Sequence, residues 1–268
     1  VQMSFDANGH MWVAAWHTYP HWNPNKKLND KLLIFPDEDG DGRADQCVVF
    51  ADQLHNPTGF EFWNGGVLVA CAPGILFLKD TDGDSRSDVT IRYLDGIDSA
   101  DTHCGANSFV FGPDGYIYFS EGIFHFTNVE NPWGKPMRAK GPMLFRFNPR
   151  TYEIYPHFKI SPNPHGIVID PWGYLFATDA TSGRGYYVGF PGAGTPHELY
   201  QKRVRPVAGF GRISGSHFPQ NNRGNLLICN TIGVRGILQY KVNTDGADIH
   251  AEEVEPIVVS SDGNFRPV

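Results

Sequence analysis

The sequence has no apolar run of about 18 residues, the length a membrane-spanning helix needs, so nothing in it reads as a span. It also has no block of lysine and arginine. Its 22 basic residues face 29 acidic ones for a net charge of −7, which argues against nucleic acid as the main partner. Cysteine is scarce: Cys47, Cys71, Cys104 and Cys229 lie far apart, with no C-x-x-C pair. A zinc ribbon, a thioredoxin-type site and covalent c-type haem attachment are therefore unsupported in these residues, while one or two disulfides of unspecified pairing stay open. Charged residues make up 19% of the chain and hydrophobic ones 41%. Over 268 residues that is enough for a substantial core, which excludes a disordered tail or a disulfide-stapled mini-domain.

What is abundant is turn chemistry. Thirty glycines, twenty prolines and 13% aromatics describe short strands joined by turns. One pattern recurs: an apolar strand, a glycine turn, a second apolar strand. It reads Met3-Ser4-Phe5 then Gly9-His10-Met11-Trp12, and Phe60-Glu61-Phe62 then Gly65-Gly66-Val67-Leu68. It returns at Phe109-Val110-Phe111 with Gly115, and at Ile167-Val168-Ile169 with Gly173. A fifth copy takes Ser216-His217-Phe218 as first strand and Gly224 as turn. The turn glycines are separated by 56, 50, 58 and 51 residues. Such a period, with third and fourth strands such as Lys31–Phe35 and Cys47–Phe50 in each unit, predicts an all-β chain: a β-propeller of four-stranded blades. A β-sandwich with accidental turn similarity is the alternative. Residues 1–268 read as a single propeller domain with five blade units, and a sixth is expected outside this stretch.

Between the third and fourth strands two acidic loops stand at the same place in successive units. Asp37-Glu38-Asp39-Gly40-Asp41-Gly42-Arg43-Ala44-Asp45 is followed by Asp80-Thr81-Asp82-Gly83-Asp84-Ser85-Arg86-Ser87-Asp88. Alternate carboxylates on a coiled loop converge their oxygens, which suits a hard cation. Calcium is expected at Asp37, Asp39, Asp41 and Asp45, and at Asp80, Asp82, Asp84 and Asp88, in a structural role. A solvated acidic hairpin without an ion is the alternative.

A second recurrence precedes the inner strands, where a propeller chain borders one mouth of the central channel. His55-Asn56-Pro57, His103-Cys104-Gly105-Ala106-Asn107, Asn163-Pro164-His165-Gly166 and Ser214-Gly215-Ser216-His217 occupy this place in four units. Histidines with Asn and Ser beside them make a convergent polar cluster, and a neutral imidazole can act as a base near pH 7. Hydrogen bonds closing the channel, or a transition-metal site, are alternatives. The segment Gly122 to Pro142, with His125, Phe126, Trp133 and Met137, is the longest insertion between second and third strands; it is expected to wall or cover the mouth.

Thr102-His103 through Phe111-Gly112-Pro113-Asp114-Gly115-Tyr116-Ile117-Tyr118 resembles a signature of soluble quinoprotein sugar dehydrogenases. Asn163-Pro164-His165-Gly166-Ile167-Val168 and Ser214–Leu227 resemble further segments of them. The whole chain is similar to the membrane-bound dehydrogenase domain of planctomycetes, which repeats the acidic loop and often carries a fused cytochrome c. The resemblance implies a sugar or alcohol oxidoreductase using pyrroloquinoline quinone (PQQ) and calcium, in the periplasm or outside the cell. Cytochrome c, fused or separate, would be the electron acceptor. It implies that His103 is the catalytic base and that Asn107, Asn163, His165, His217, Arg235 and His55 surround the cofactor. Two departures stand out: His103 to Gly112 is one residue longer than in the family, and Pro162 replaces the quinone-contacting Arg. A non-catalytic, calcium-stabilised propeller that binds carbohydrate or a protein is the other reading.

Overall fold

A computed structural model describes residues 2–20, 25–131, 133–181, 183–189, 196–200, 207–246 and 248–267. They form five four-stranded antiparallel sheets in chain order. The first holds β1 (Met3–Phe5), β2 (Met11–Ala15), β3 (Asp30–Phe35) and β4 (Val48–Leu54). The second holds β5 (Pro57–Trp63), β6 (Gly66–Cys71), β7 (Gly74–Lys79) and β8 (Val89–Asp95). The third starts with β9 (Asn107–Phe111) and β10 (Ile117–Glu121). A separate two-stranded ribbon, β11 (Phe126–Val129) and β12 (Met137–Lys140), intervenes before β13 (Met143–Phe147) and β14 (Ile154–Phe158) complete that sheet. The fourth holds β15 (Pro164–Ile169), β16 (Leu175–Asp179), β17 (Arg184–Val188) and β18 (His197–Tyr200). The fifth holds β19 (Val207–Arg212), β20 (Leu226–Asn230), β21 (Gly236–Asp245) and β22 (Asp248–Val259). Each sheet is an up-and-down meander, the form of a propeller blade.

The repeat glycines all stand between the first and second strands of their sheets. Gly9, Gly65, Gly115, Gly173 and Gly224 have φ of +88°, +72°, +81°, +87° and +86°, the left-handed region that L side chains avoid. The fifth sheet corrects one sequence expectation. Its first strand is Val207–Arg212, whereas Ser216–Phe218 lie in the connection that follows it. The strand Val-Ala-Gly-Phe-Gly-Arg carries two glycines and no alternation, so its pattern is weaker than that of the turn beyond it.

The chain forms two compact units, residues 1–109, 124–140 and 147–155, and residues 110–123, 141–146 and 156–268. In the first, alternation along β2 and β3 sends Trp12, Ala14, Leu32 and Ile34 inward against Phe60, Val67 and Val69. Trp12 packs edge-on to Phe50 and Phe62 at 4.7 and 5.3 Å. Gln2 ties the first sheet to the second by donating to the Phe60 carbonyl (2.8 Å) and accepting its N–H (3.1 Å). In the second unit Phe176, Leu226, Ile228, Leu238 and Tyr240 make the core, with Tyr200 stacked on Tyr240 at 4.0 Å. Each fully buried side chain of this size contributes about 1.5–3 kcal/mol.

The first strands carry the feature that shapes the site. Their pairing shifts register between Pro57 and Gly59, between Pro164 and Ile167, and between Val207 and Phe210. An extra residue at a strand start bends it and re-aims its side chains. Glycine lets neighbouring first strands approach: a Cβ on Gly59 would lie 2.6 Å from the Phe109 ring, and one on Gly166 2.5 Å from Phe210.

Candidate functional site

In the first unit the organising group is Asp30, fully buried at the start of β3. Its carboxyl accepts the backbone N–H of His17 (2.6 Å), Thr18 (2.7 Å) and Asn56 (2.8 Å), and the Thr18 hydroxyl. One side chain thereby fixes the segment after β2 and the entry to β5. Asn56, held at φ +47°, donates its amide to the Thr102 carbonyl at 3.3 Å, which draws the entry to β9 alongside. Its Oδ1 is buried and has no partner among the described residues. Trp16 donates its indole N–H to the Pro57 carbonyl.

This framework presents His103. The residue is exposed, its N–H bonded to Asp101 Oδ1 at 2.9 Å. Its Nδ1 lies 2.7 Å from the Tyr19 hydroxyl, with the rings stacked at 6.1 Å. When Nδ1–H donates to the phenol oxygen, Nε2 keeps its lone pair in the form a proton acceptor needs. Trp16 packs against Tyr19 at 5.3 Å and steadies it. Two other histidines of this unit are turned toward backbone. His55 places Nδ1 2.8 Å from the Ala72 carbonyl, and buried His125 places Nε2 3.0 Å from the Asp101 carbonyl. Asn107, buried at the start of β9, donates to the Gly105 carbonyl at 2.9 Å.

The ribbon β11–β12 docks at this end. The N–H of Asn128 donates to the Gly96 carbonyl (2.9 Å), and that of Phe126 to Asp98 Oδ2 (2.5 Å). Burial opposes ionisation of Asp98, but the N–H groups of Phe126 and Ala100 outweigh it and hold the carboxyl below its usual range. The insertion that holds His125 thus packs on the strand entry that carries His103. Phe124, Phe126 and Trp133 on it are exposed.

All four cysteines are free thiols. Burial pushes the Cys71 thiol up to about 12, against a lowering bond from the His55 backbone and with a raising charge from Asp30. Burial and then Asp101 push Cys104 up to about 11. Neither is poised as a nucleophile or ligand.

In the second unit the equivalent end is built around Asp179, also fully buried. Its Oδ1 accepts the N–H of Asn163 (3.1 Å) and of Thr181 (3.0 Å). Asn163 leaves a buried Oδ1 with no partner among the described residues. His165 is half-buried in β15, and its carbonyl accepts the Thr178 hydroxyl. Arg235, in the β20–β21 connection, is exposed, and no hydrogen bond or ion pair of its side chain is made to described residues. Arg235 offers a cation and Asn163 an amide, at the same end of their respective sheets. His217 does not belong with them. It follows β19 and lies exposed in the β19–β20 connection, at the opposite end of the fifth sheet.

The acidic loops lie at the β3–β4 and β7–β8 connections. Asp37, Asp39 and Asp45 place oxygens within 4.8 Å of one another, as do Asp80, Asp82 and Asp84. Asp41 and Asp88 stand outside these groups. Asp41 Oδ1 accepts the Arg43 N–H at 2.7 Å, and Asp88 accepts the N–H and hydroxyl of Thr81. The Asp80 carboxyl is held below its usual range chiefly by the Gly83 N–H, with those of Ser85 and Asp82 adding. Three carboxylates in this arrangement fit a hard, oxygen-seeking cation such as calcium.

Sequence reasoning missed Asp30, Tyr19 and Asp179. Asp30 sits in Leu28-Asn29-Asp30-Lys31, which reads as a solvated strand entry, and nothing local marks it as buried.

Five four-stranded meander sheets in chain order are the form of a β-propeller, and solved structures of that fold agree. The chain is similar to a Thermus thermophilus protein described as an oxidoreductase (glucose dehydrogenase), at TM-score 0.67 and 15% identity over 96% of this chain and 83% of that one. It is similar to the PQQ-bound aldose sugar dehydrogenase of Streptomyces coelicolor, at TM-score 0.57 and 12% identity over 93% and 80%. It is also similar to the periplasmic gluconolactonase of Pseudomonas aeruginosa, at 0.55 and 11% over 97% and 70%. At such identities the likeness is one of fold. None of the curated proteins matches the chain in sequence. By its sequence the chain belongs to DUF7133, a domain of unknown function, whose family model matches residues 1–202.

Proposed function

We propose that this propeller is a sugar or alcohol oxidoreductase of the quinoprotein type, with His103 as the base. The observation that carries the reading is an exposed imidazole whose Nδ1 is fixed by Tyr19, leaving Nε2 to take the substrate hydroxyl proton. The buried Asp30 and Asn56 network keeps that imidazole in place without depending on the substrate. Pyrroloquinoline quinone, when bound, would accept the hydride from the carbinol carbon. Arg235 and Asn163 would hold its carboxylates, and calcium would rigidify the acidic loops. A cytochrome c, fused or separate as in the planctomycete-type dehydrogenases, would then take the electrons. The periplasm or cell exterior suits this chemistry, and no helix among the described residues is long and apolar enough to cross a membrane. The departure at Pro162 favours a second reading, a propeller that binds carbohydrate or protein without turnover.

The test is reconstitution with the quinone and calcium, followed by dye reduction against a panel of aldoses and alcohols. Turnover is expected, and His103→Ala should lower it by about 10²–10⁴-fold with quinone binding retained. Tyr19→Phe should lower it less, because the imidazole stays in place and loses only its orienting partner. Absence of quinone binding by the native protein refutes the oxidoreductase and leaves the binding propeller.

A further inference from the structure

We infer that the second unit carries a groove that binds a neutral glycan chain. The groove, about 800 Å³, lies among the β15–β16 turn, the β19–β20 connection and the β21–β22 hairpin. That is the opposite end of β15 from Asn163 and His165, so the inference does not rest on the oxidoreductase reading. Pockets of this size hold ligands larger than one small molecule fragment, and a short run of pyranose rings fits the range.

Trp172, at the tip of the β15–β16 turn, is 83% exposed, and Tyr174 beside it is 43% exposed. An indole so exposed adds nothing to the core. It offers a flat apolar face, which is the surface a sugar's C–H face stacks on. Asp170 fixes this platform, since its Oδ1 accepts the N–H of Trp172 (2.9 Å) and of Tyr174 (2.8 Å).

The rim of a sugar ring is hydroxyls, each both donor and acceptor, and amides answer both needs. The groove has such a row, already ordered. Asn222 donates to Gln239 Oε1 at 2.9 Å, and buried Gln239 donates to the Glu255 carbonyl at 2.9 Å. Arg223 is likewise held, donating to the carbonyls of Phe218 (3.1 Å) and Ser216 (3.0 Å). Groups fixed before the ligand arrives cost less entropy on binding.

Charge decides against the other polar ligands. Arg212, Arg223 and Lys241 line the groove with Asp170, Glu252 and Glu255, so the formal charges cancel. A nucleic acid strand or an acidic peptide would want an excess of cations there. A neutral, hydroxyl-rich chain wants this mixture of rings, amides and balanced charges.

Calorimetric titration of the full chain, with neither quinone nor calcium added, against cellohexaose, maltohexaose, xylohexaose and mannohexaose tests the inference. At least one should bind with Kd on the order of 1 mM or tighter. Trp172→Ala should weaken that affinity at least about tenfold, and its exposure means the fold persists, checked by circular dichroism. Phe5→Ala, at an exposed aromatic on β1 of the first unit, should leave it unchanged. Binding of none of the four glycans overturns the inference, as does equal affinity in Trp172→Ala or equal loss in Phe5→Ala. Dye reduction of a monosaccharide should be insensitive to Trp172→Ala, so the groove and the oxidoreductase reading can fail separately.

Discussion

Within the first unit, the two ends of the sheets are held by carboxyl groups in opposite ways. At the end where β5 begins, Asp30 accepts N–H groups from residues 12, 13 and 26 positions away, and it is fully buried. At the end where β3 turns into β4, Asp37 accepts, among the described residues, only from Gly40, Asp41 and Gly42, within five positions, and stands near the surface. The first arrangement joins separate segments and leaves a buried amide oxygen on Asn56 without a partner among the described residues. The second satisfies itself inside one loop. Long-range, incompletely paired polar groups suit the proposed ligand site, whereas a self-contained loop stabilises its own turn.

The largest stability effect should come from Asp30. Asp30→Ala takes the shared acceptor from the N–H groups of His17, Thr18 and Asn56, the last of them buried, and the expected loss is about 3–5 kcal/mol in urea unfolding. Asp37→Ala should cost about 1 kcal/mol without calcium, because water reaches the N–H groups it leaves behind. Equal losses at the two positions would erase the contrast between the ends.

Calcium gives the next effect. At a hundredfold excess over Kd, a single bound ion adds about 2.7 kcal/mol, read as a rise in Tm that a chelator reverses. The loops should share it unequally. Asp45 joins Asp37 and Asp39, but its counterpart Asp88 is drawn away by the Thr81 hydroxyl and N–H. Asp45→Asn should therefore remove more of the calcium-dependent rise than Asp88→Asn. A chelator that leaves Tm unchanged would dispose of the ion at both loops.

The same contrast explains what the sequence could say. The turn glycines and the acidic loops are local patterns, and each is met in the structure at its expected place between strands. The strand entries are not local. His103 was legible as a strand-entry histidine, but its partner Tyr19 lies 84 residues away and its support Asp30 looks like any polar residue before a strand. His217 was misplaced for a related reason. The glycine-poor Ser-His-Phe segment imitates a strand better than Val207–Arg212 does, and pairing with Leu226–Asn230 decides the matter. Register belongs to the partner strand and cannot be read from one segment alone.

The smallest effect separates the two acidic loops from each other. Ser85 occupies the place of Gly42, and both are left-handed, at φ +65° and +83°. A Cβ in that region costs about 1 kcal/mol, whereas glycine loses more chain entropy on folding, by an amount of similar order. In both loops the N–H at this position donates to the first aspartate, at 2.8 Å from Ser85 to Asp80 and 3.0 Å from Gly42 to Asp37. The backbone frame thus tolerates either residue, and the difference is strain alone. Ser85→Gly should stabilise by at most about 0.5 kcal/mol, and Gly42→Ser should destabilise by about as much. Unfolding in urea with chelator present measures both without the ion. A cost well above 1 kcal/mol for Gly42→Ser would mean that the first loop is the tighter frame. The loops would then differ in geometry as well as in the carboxylate that Thr81 withholds.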